Sequence, residues 1–319
     1  MLPVLVTGGA GFLGSHLIRI LLERNYRVIA IDSLWTGSLD SIANIQDHPN
    51  FTFLRHDVTL PFTGIINDVS QIYHLACPAS PKHFVKNPID ILNKCFQGTK
   101  NVLDFAVKCN ARVLLASTSE VYGDPLVYPQ AESYYGNVNP FGPRSCYDEG
   151  KRVAEAMAYA FRLENNLDIR IGRIFNAYVP GMLPSDGRVV PNFISAAIGQ
   201  KDMQIAGDGN ARRCFQYVGD CVLGLYTLMQ SSCLSPVNIG CDDEISIANL
   251  AQLINDIVSR KTASAPVDVL FTEKSDDDPF RRRPEISMAK EKLQWQPRVG
   301  LRDGLEMTVN WFLAFLAAI

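Results

Sequence analysis

The sequence predicts an α/β fold built on a doubly wound parallel sheet, and three observations support this prediction. Apolar runs with the length of buried strands recur through the first half of the chain, at 3–6, 28–31, 51–54, 71–76, 112–116 and 168–174. Segments with helical spacing of apolar residues separate these runs, as the crossover connections of parallel strands require. A glycine-rich turn follows the first run, and an acidic residue ends the second. This order is typical of a sheet that carries helices on both faces.

The composition favours a large core and excludes several classes of protein. Of the 319 residues 47% are hydrophobic, and 30 Lys and Arg against 33 Asp and Glu give a net charge of −3. This balance favours neither nucleic-acid binding nor broad attraction to anionic membranes. No apolar stretch has the length of a membrane span, so we expect a soluble, cytoplasmic protein; an N-terminal anchor removed from a longer gene product would not be visible. Eight scattered cysteines without C-x-x-C spacing predict reduced core thiols rather than disulfides or a metal site.

The first 32 residues have the pattern of a dinucleotide-binding unit. The apolar run at 4–6 leads into a turn punctuated by Gly8, Gly11 and Gly14, after which apolar residues take helical spacing. Glycines at these positions allow a tight turn and close approach of a pyrophosphate to a helix N-terminus. The second strand ends in Asp32, whose carboxylate can accept both ribose hydroxyls and would repel a 2′-phosphate. The pattern therefore predicts a Rossmann-like unit that binds NAD rather than NADP.

The loops after the next strands converge on the same crevice, because ligands of open parallel sheets lie outside the carboxyl ends of the strands. After the third strand, Asp57 is placed to take the adenine amino group, and a turn or capping role for it is about equally well supported. The fourth strand contains His74, which we interpret as a strand residue with a satisfied ring rather than as a catalyst.

A Tyr and a Lys four residues apart define the candidate catalytic helix. Tyr147 and Lys151 would lie on one helix face, where the ammonium favours the phenolate and makes Tyr147 a general base near neutral pH. Thr118 and Ser119, at the end of the fifth strand, could hydrogen-bond the same phenol or a substrate oxygen. Such a pair alone occurs on many helix surfaces, so its weight depends on the rest of the chain.

The remainder of the chain loses the alternation of strand and helix near residue 176. We therefore predict a NAD-binding domain at 1–175 and a mainly substrate-binding domain at 176–319, with some segments returning to the first. Arg188, Arg213 and Arg282 are candidate diphosphate ligands, since guanidinium forks suit that group. For the cluster at 276–283, a solvated turn with mutually paired charges is an equally good interpretation.

Several long segments resemble a known family. The glycine turn with Tyr147 and Lys151 resembles the extended short-chain dehydrogenase/reductases, which modify nucleotide sugars. Within them, the chain looks like the UDP-glucuronate decarboxylases over essentially its whole length, in HLACPASP (74–81), STSEVYGDP (117–125), GNVNP (136–140), RSCYDEGKR (144–152), DGRVV (186–190) and DDPFRRRP (277–284).

The resemblance implies an NAD-dependent decarboxylation of UDP-glucuronate to UDP-xylose through a 4-keto sugar, with NAD regenerated. The catalytic residues it implies are Tyr147, Lys151, Thr118, Ser119 and Glu120, the last in a second proton-handling role. The predicted cofactor residues are Gly8, Gly11, Phe12, Leu13, Gly14, Asp32, Ser33, Trp35, Thr36, Gly37, Asp57, Val58, Leu75, Ala76, Tyr147 and Lys151. The predicted substrate residues are Pro78, Asn101, Glu120, Asn176, Arg188, Arg213, Tyr217 and Arg282. No metal is expected.

The chain departs from the family pattern at a few positions. Ala177 and Val179 stand where a Thr and a Gly are usual, and Cys95 stands where an Asn is usual. Lys94 belongs to a pair, Asn93-Lys94, that replaces a usual Lys/Thr pair, and Ala211 begins a segment that usually reads Gln-Thr-Arg-Ser-Phe. These changes spare the catalytic set and bear on cofactor retention and substrate affinity.

Two other functions remain open from the sequence. A 4-epimerase or 4,6-dehydratase would begin with the same oxidation at C4, although a dehydratase typically has Asp-Glu where this chain has Ser119-Glu120. A NAD-binding regulatory protein without catalysis is the other alternative. Family enzymes pair through a helix bundle, so we expect a homodimer, with the apolar residues of the Tyr147 helix as candidate contacts: Val153, Ala154, Met157, Ala158 and Phe161. The same face could instead belong to the core.

Overall fold

A seven-stranded parallel sheet forms the centre of the computed structural model, which describes residues 2–178, 180–182, 186–273 and 279–317. Six of its strands come from the first part of the chain: β1 (Val4–Thr7), β2 (Val28–Asp32), β3 (Phe51–Arg55), β4 (Gln71–His74), β5 (Arg112–Thr118) and β6 (Ile169–Ile174). They lie in the order β6-β5-β4-β1-β2-β3. All four residues of β1 are buried, as expected for a central strand covered on both faces. The predicted doubly wound sheet is confirmed.

Helices cover both faces of this sheet. The connections contain α1 (Phe12–Glu23), α2 (Pro81–Lys86), α3 (Pro88–Asn93), α4 (Thr99–Cys109) and α5 (Ser145–Asn165). A π-helical turn, Lys94–Gly98, joins α3 to α4. Residues of α4 and α5 pack with one face of the sheet, and α1 packs with the other. Both α4 and α5 are followed by an asparagine in the left-handed conformation, Asn110 and Asn166, which ends each helix.

The second part of the chain contributes α6 (Val189–Ile198), α7 (Val218–Gln230), α8 (Ile247–Thr262), α9 (Ser287–Leu293) and α10 (Leu301–Ala317). It also contributes short strands, β7 (Ala177–Tyr178), β8 (Met203–Ala206), β9 (Arg212–Cys214), β10 (Gln216–Tyr217), β11 (Val237–Ile239), β12 (Glu244–Ser246), β13 (Val269–Thr272) and β14 (Arg281–Arg282). Helices α6, α8 and α10 share a separate core with β8.

Two elements of this second part return to the central sheet. Strand β11 pairs in parallel with β6 and forms the seventh strand, with Val237 opposite Gly172. Helix α7 packs beside α1 in the same hydrophobic cluster as β1. Such returning segments were expected from the sequence, although neither β11 nor α7 was identified as one.

No helix within the described ranges is both long enough and apolar enough to cross a bilayer.

Candidate active site

A cavity of about 800 Å³ opens at the carboxyl ends of the central strands. Its lining combines residues from the glycine turn, the ends of β2, β4 and β5, the start of α5, and the second part of the chain. The fold therefore brings most of the predicted cofactor, catalytic and substrate residues to one place, although they are spread from position 8 to position 282. The cause is the parallel sheet, in which every strand ends at the same edge.

The glycine turn presents its backbone to this cavity. Gly8 adopts φ +71°, a conformation that favours glycine, and a Cβ on Gly14 would lie 2.1 Å from the Gly8 carbonyl oxygen. Phe12 begins α1 directly after the turn, so the N–H groups of the first helical turn face the same space. The turn can thus form a cradle for an anionic group, and any side chain at Gly14 would force this turn open.

Asp32 closes one side of the cradle. Its carboxylate accepts hydrogen bonds from the backbone N–H groups of Ala10 (3.1 Å) and Leu34 (2.8 Å). Burial raises the pKa of Asp32, and these two bonds oppose the rise. The side chain is therefore fixed at the end of β2, and Ser33, Trp35 and Thr36 line the cavity beside it.

Asp57 has a partner that the sequence did not predict. Its carboxylate accepts from the Lys94 ammonium at 2.8 Å, and that ammonium lies 5.2 Å from the centre of the Trp35 ring. Burial alone would raise the pKa of Asp57, but its bonds with Lys94 and Thr59 outweigh burial and lower it. Asp57 and Val58 line the cavity as predicted, but the Asp57 carboxylate is already bound to Lys94.

Tyr147 lies in the first turn of α5 and is only 6% exposed. Its ring stacks on Phe84, with centroids 4.7 Å apart and planes at 15°. Burial raises the pKa of Tyr147 well above its ordinary value, and the neighbouring Cys77 and Cys95 add to this, while a hydrogen bond with the Thr118 side chain opposes it. The phenol is therefore protonated in this environment.

Lys151 follows one turn later, as the spacing predicts. Its ammonium donates to the backbone carbonyl of Ala116 at 2.8 Å and lies 5.8 Å from the centre of the Tyr147 ring. The pair thus shares one helix face, but the raised pKa of Tyr147 shows that the lysine alone does not produce a phenolate near neutral pH. The prediction of a phenolate produced by Lys151 near neutral pH is therefore not supported by this environment.

Thr118, Ser119 and Glu120 form the exit of β5. The chain turns into a short 3₁₀ helix, Ser119–Tyr122, whose first N–H groups are capped by Thr118: the Glu120 N–H donates to its hydroxyl at 3.3 Å. All three residues line the cavity beside the segment after β4, because β4 and β5 are neighbouring strands.

Two arginines hold the Glu120 carboxylate. The guanidinium groups of Arg144 and Arg282 both donate to the same oxygen, each at 2.8 Å. Burial alone would raise the pKa of Glu120, but these two cations outweigh it and lower the pKa. Glu120 is therefore a carboxylate at neutral pH, with an immediate supply of positive charge around it.

The pairing of β9 with β14 explains why the arginines of these two strands lie on two different sides. Arg213 lies opposite Arg282 in the register, and both are buried on the cavity side. Arg212 lies opposite Arg281, and both donate to Glu244 on the other side. Arg281 is thus paired with Glu244, outside the cluster at 276–283, while Arg282 lines the cavity and pairs with Glu120. The acidic residues of the cluster lie outside the described residues, so its interpretation as a turn of mutually paired charges stays a prediction. Asn176 lies 3.4 Å from Arg282.

Arg188 and Pro78 complete the predicted substrate wall. Arg188 precedes α6, its guanidinium lies 3.6 Å from Asp186 and 5.9 Å from the Phe12 ring, and it lines the cavity, as Pro78 does.

Three predicted residues lie outside the cavity lining. Gly37 sits behind Asp32, where its backbone packs against the carboxylate. Asn101 is buried on α4 and donates to the Val58 carbonyl at 2.9 Å, so it supports the loop at Val58 from behind. Tyr217 packs against Tyr178 beside α10. Of the departures from the family pattern, Val179 lies outside the described residues, as do Asp277 and Asp278 of the resembling segments.

Several lining residues received no role from the sequence, and three of them have a thiol or a charged group close to the predicted site residues. Arg144, three residues before Tyr147, bonds Glu120; Lys94 bonds Asp57; Cys77 lies after β4. Arg144 directly precedes the helix that contains Tyr147, and this position in the sequence could have indicated a role in the site. For Lys94 and Cys77 the partners are distant in sequence, so no local pattern identifies them.

Comparisons with known proteins identify the family to which the chain belongs. The sequence model of the GDP-mannose 4,6 dehydratase family matches residues 5–308. UDP-glucuronic acid decarboxylase 1 of Arabidopsis thaliana is 46% identical over 311 residues, which are 98% of this chain and 70% of that protein.

Solved structures show the same fold. UDP-glucose 4-epimerase from Thermotoga maritima, solved with UDP-glucose, superposes with a TM-score of 0.89 at 27% identity and covers 98% of this chain and 99% of its own. UDP-glucuronic acid 4-epimerase from Bacillus cereus, solved with UDP-4-deoxy-4-fluoro-glucuronic acid and NAD, gives a TM-score of 0.86 at 26% identity, with 98% and 99% coverage.

Fold and site together define an extended short-chain dehydrogenase/reductase of the class that modifies nucleotide sugars. The central sheet, the glycine cradle and the Tyr147–Lys151 pair are its features. Within this class, the chain belongs to the UDP-glucuronic acid decarboxylase family.

Proposed function

We propose that this protein is an enzyme that converts UDP-glucuronate to UDP-xylose and CO₂ with NAD as a cofactor that is regenerated in each cycle. The observation that carries the proposal is the convergence of Tyr147, Thr118 and an arginine-bound Glu120 on one cavity with the glycine cradle. The name of the relative at 46% identity supports the substrate and the reaction.

The residues present fit NAD. The cradle keeps its tight shape because Gly8 and Gly14 lack side chains: a Cβ on Gly8 would meet the backbone of Leu75 and Ala76, and a Cβ on Gly14 would meet the Gly8 carbonyl. Asp32, fixed by two backbone donors, would take the ribose hydroxyls of the adenosine and disfavour NADP. Lys151 would hold the nicotinamide ribose. The B. cereus 4-epimerase of the same fold, solved with NAD, supports this assignment.

Tyr147 is placed to remove the proton from the 4-hydroxyl of the sugar. When bound, NAD⁺ supplies the hydride acceptor for C4 and a positively charged nicotinamide ring. The surrounding protein raises the pKa of the Tyr147 phenol. The positive charges of Lys151 and of the nicotinamide ring together oppose this rise and favour the phenolate. Thr118, already hydrogen-bonded with the phenol, would orient it toward the sugar oxygen.

Oxidation at C4 makes the loss of CO₂ possible. The carboxylate on C5 is then β to a ketone, so the electrons left behind are delocalised into an enolate. We assign Glu120 a second proton-handling role at this stage, with Ser119 orienting the sugar. Arg144 and Arg282 hold Glu120 as a carboxylate, so Glu120 first acts as a proton acceptor. It can donate a proton in a later step only when the two arginines bind another anion.

The second part of the chain would bind the UDP group. Arg188, Arg213 and Arg282 offer guanidinium groups to the diphosphate from three different elements, and Asn176 and Pro78 lie beside them. We propose that 1–175 is the NAD-binding domain and 176–319 mainly the substrate domain. For Asn101 and Tyr217, which lie outside the lining, an indirect role through Val58 and Tyr178 fits better than direct contact.

We also propose a homodimer in the cytoplasm. Of the five residues expected on the dimer face of α5, Ala154 and Ala158 are buried in the protomer's own core, and Met157 and Phe161 pack against that core. Val153 is 40% exposed and remains available, as do Tyr159 and Leu163 on the same helix. Free thiols at all eight cysteines are consistent with a reducing compartment.

Mass spectrometry of the sugar products tests the proposed reaction. The purified protein is incubated with UDP-glucuronate and NAD⁺, and a product lighter by CO₂ that co-elutes with UDP-xylose is expected. An isomer of unchanged mass would instead identify a 4-epimerase, and no change of the sugar would contradict the decarboxylase assignment. Release of the free 4-keto pentose would mean that the final reduction fails.

A further inference from the structure

Two thiols meet beside the catalytic tyrosine. The sulfur atoms of Cys77 and Cys95 lie 3.4 Å apart, and both residues belong to one small cluster with Phe84, Cys146 and Tyr147. Cys77 lines the cavity on the loop after β4, so it is accessible to small solutes, whereas Cys95 is only 2% exposed beneath it. One thiol can therefore be reached from solution, and the other can reach only the first.

The backbone around Cys95 brings this pair together. Cys95 lies on the π-helical turn between α3 and α4, and π-turns of this kind occur frequently at functional sites. On its other side it packs against α5, where a Cβ added to Gly150 would lie 3.0 Å from the Cys95 sulfur. Cys95 thus cannot move away toward α5, and its open direction is toward Cys77.

We propose that Cys77 and Cys95 form an oxidisable dithiol, and that hydrogen peroxide converts it to a disulfide that inactivates the enzyme. The Cys77 thiolate attacks the peroxide, so an S–O bond forms, the O–O bond breaks and hydroxide leaves to become water. The Cys95 sulfur then attacks Cys77, the S–S bond forms, and a second water carries away the oxygen and the Cys95 proton. The sulfurs lose two electrons in total, and one peroxide becomes two waters.

The chemistry of Cys77 supports the first step. A hydrogen bond from Cys95 and the Lys151 and Lys94 ammonium groups outweigh burial and lower the pKa of Cys77 to about 7. The thiolate is the form that reacts with peroxide, so a thiol of this kind in the cavity is a better target than an ordinary buried cysteine.

The disulfide would disturb the site because both partners are attached to it. A disulfide needs sulfurs about 2 Å apart, so Cys77 and Cys95 must draw together from 3.4 Å, and we expect the loop after β4 to shift with Cys77. That loop includes Ala76, which packs against Gly8 of the cradle, and Pro78 of the substrate wall. A displacement of about 1 Å in an active site can cost about 100-fold in rate, and we expect at least a tenfold loss of turnover.

Peptide mapping tests the disulfide independently of the proposed reaction. The full chain is treated with hydrogen peroxide, free thiols are alkylated, and the unreduced digest is searched for a peptide that links Cys77 to Cys95. We expect this link in the native protein and in Cys146→Ser, which keeps the pair, and its absence in Cys95→Ser. Failure to find the link in the native protein would overturn the proposal whatever the enzyme's substrate is.

Turnover then tests the consequence, which rests on the proposed function. Peroxide should lower turnover of UDP-glucuronate at least tenfold in the native protein, and dithiothreitol should restore it. In Cys77→Ser, which leaves peroxide no cavity thiol of this pair to oxidise, the dithiothreitol-reversible part of the loss should disappear. If the linked protein retains full turnover, the disulfide is not inhibitory and that part of the proposal is wrong. If the reduced protein has no turnover while the link still forms, the proposed function fails and the dithiol does not.

Discussion

Tyr147, the proposed general base, is held in its protonated form by the surrounding protein. The phenol is buried against Phe84, and burial with the neighbouring thiols raises its pKa well above the ordinary value. Lys151 bonds a backbone carbonyl instead of the phenol. The missing positive charge would come with the cofactor, so the base is completed only in the cofactor complex. Proton removal before cofactor binding is thereby suppressed.

Replacing Tyr147 with Phe should remove the base and leave the ring packing intact. We expect turnover to fall by about a thousandfold, within the range for loss of a general base or acid, and the NAD dissociation constant to stay nearly unchanged. Steady-state kinetics and titration with NAD measure the two quantities. Tyr159→Phe, an exposed tyrosine on the same helix, is the matched control. Substantial turnover in Tyr147→Phe would show that another residue takes the proton.

Asp32→Asn tests cofactor choice. The Ala10 and Leu34 N–H groups donate to different oxygens of the carboxylate, so the amide oxygen can keep only one of these two bonds, and the negative charge is lost. We expect NAD to bind about tenfold more weakly and NADP to bind less poorly than before, because a charged acceptor bonds the ribose more strongly and repels a 2′-phosphate. Dissociation constants for both cofactors are the measurement, with the exposed Asp40→Asn as control. An unchanged ratio would exclude Asp32 as the determinant.

At the scale of elements, the sequence predicted the central strands well because their apolar runs are continuous. The differences lie at the ends. β4 stops at His74, and the Leu75 N–H makes the last bond to β1, which it shares between the Thr7 carbonyl and the Thr7 hydroxyl. β5 continues to Thr118, because its pairing with β6 persists to Ile174. Hydrogen bonds to residues distant in sequence decide both ends, and no local pattern contains them.

The site likewise has parts that the sequence could predict and parts that it could not. The cradle and the Tyr147–Lys151 pair are each contained in one segment, so spacing alone indicated them. The cluster of Glu120, Arg144 and Arg282 joins three elements through the β9–β14 pairing, so its geometry could not be predicted from sequence. The Lys94–Asp57 pair was missed for the same reason.

The cradle depends on the absence of one Cβ, which Gly14→Ala tests. The new methyl would lie 2.1 Å from the Gly8 carbonyl oxygen, a backbone atom, so the turn must open. We expect a loss of stability of about 1–3 kcal/mol and at least tenfold weaker NAD binding. Gly219→Ala in α7, whose added Cβ meets only the Tyr217 ring at an ordinary 3.4 Å, is the control. Wild-type NAD affinity in Gly14→Ala would mean that the cofactor does not use this turn.

At the scale of the whole molecule, a buried histidine links folding to pH. His74 hydrogen-bonds Thr7 and Thr99 in the interior, as its assignment to a strand suggested. Burial, with the Lys151 charge in second place, lowers its pKa from 6.5 to about 3. Above pH 6.5 neither state is protonated, and as the pH falls from 6.5 toward 3 only the unfolded chain gains the proton. The folded state therefore loses stability through this window.

His74→Asn should remove this contribution. At pH 5 the wild-type histidine costs about 2 kcal/mol of unfolding free energy relative to pH 7, given a slope of about 1.4 kcal/mol per pH unit below 6.5. The variant should show a pH dependence smaller by about that amount, measured by chemical denaturation at both values. His48→Asn, in the loop before β3, is the control and should keep the wild-type dependence. Equal slopes for wild type and His74→Asn would contradict the linkage.

The return of β11 to the sheet determines how the chain can be divided. A fragment that ended at residue 175 would leave β6 with an unpaired edge and would remove α7, whose side chains pack with α1. Open edges and uncovered apolar faces promote association between copies. Residues 1–175 alone are therefore not a self-sufficient unit. In protein engineering, a chimera that contains them must also contain residues 218–239 or a substitute for that segment.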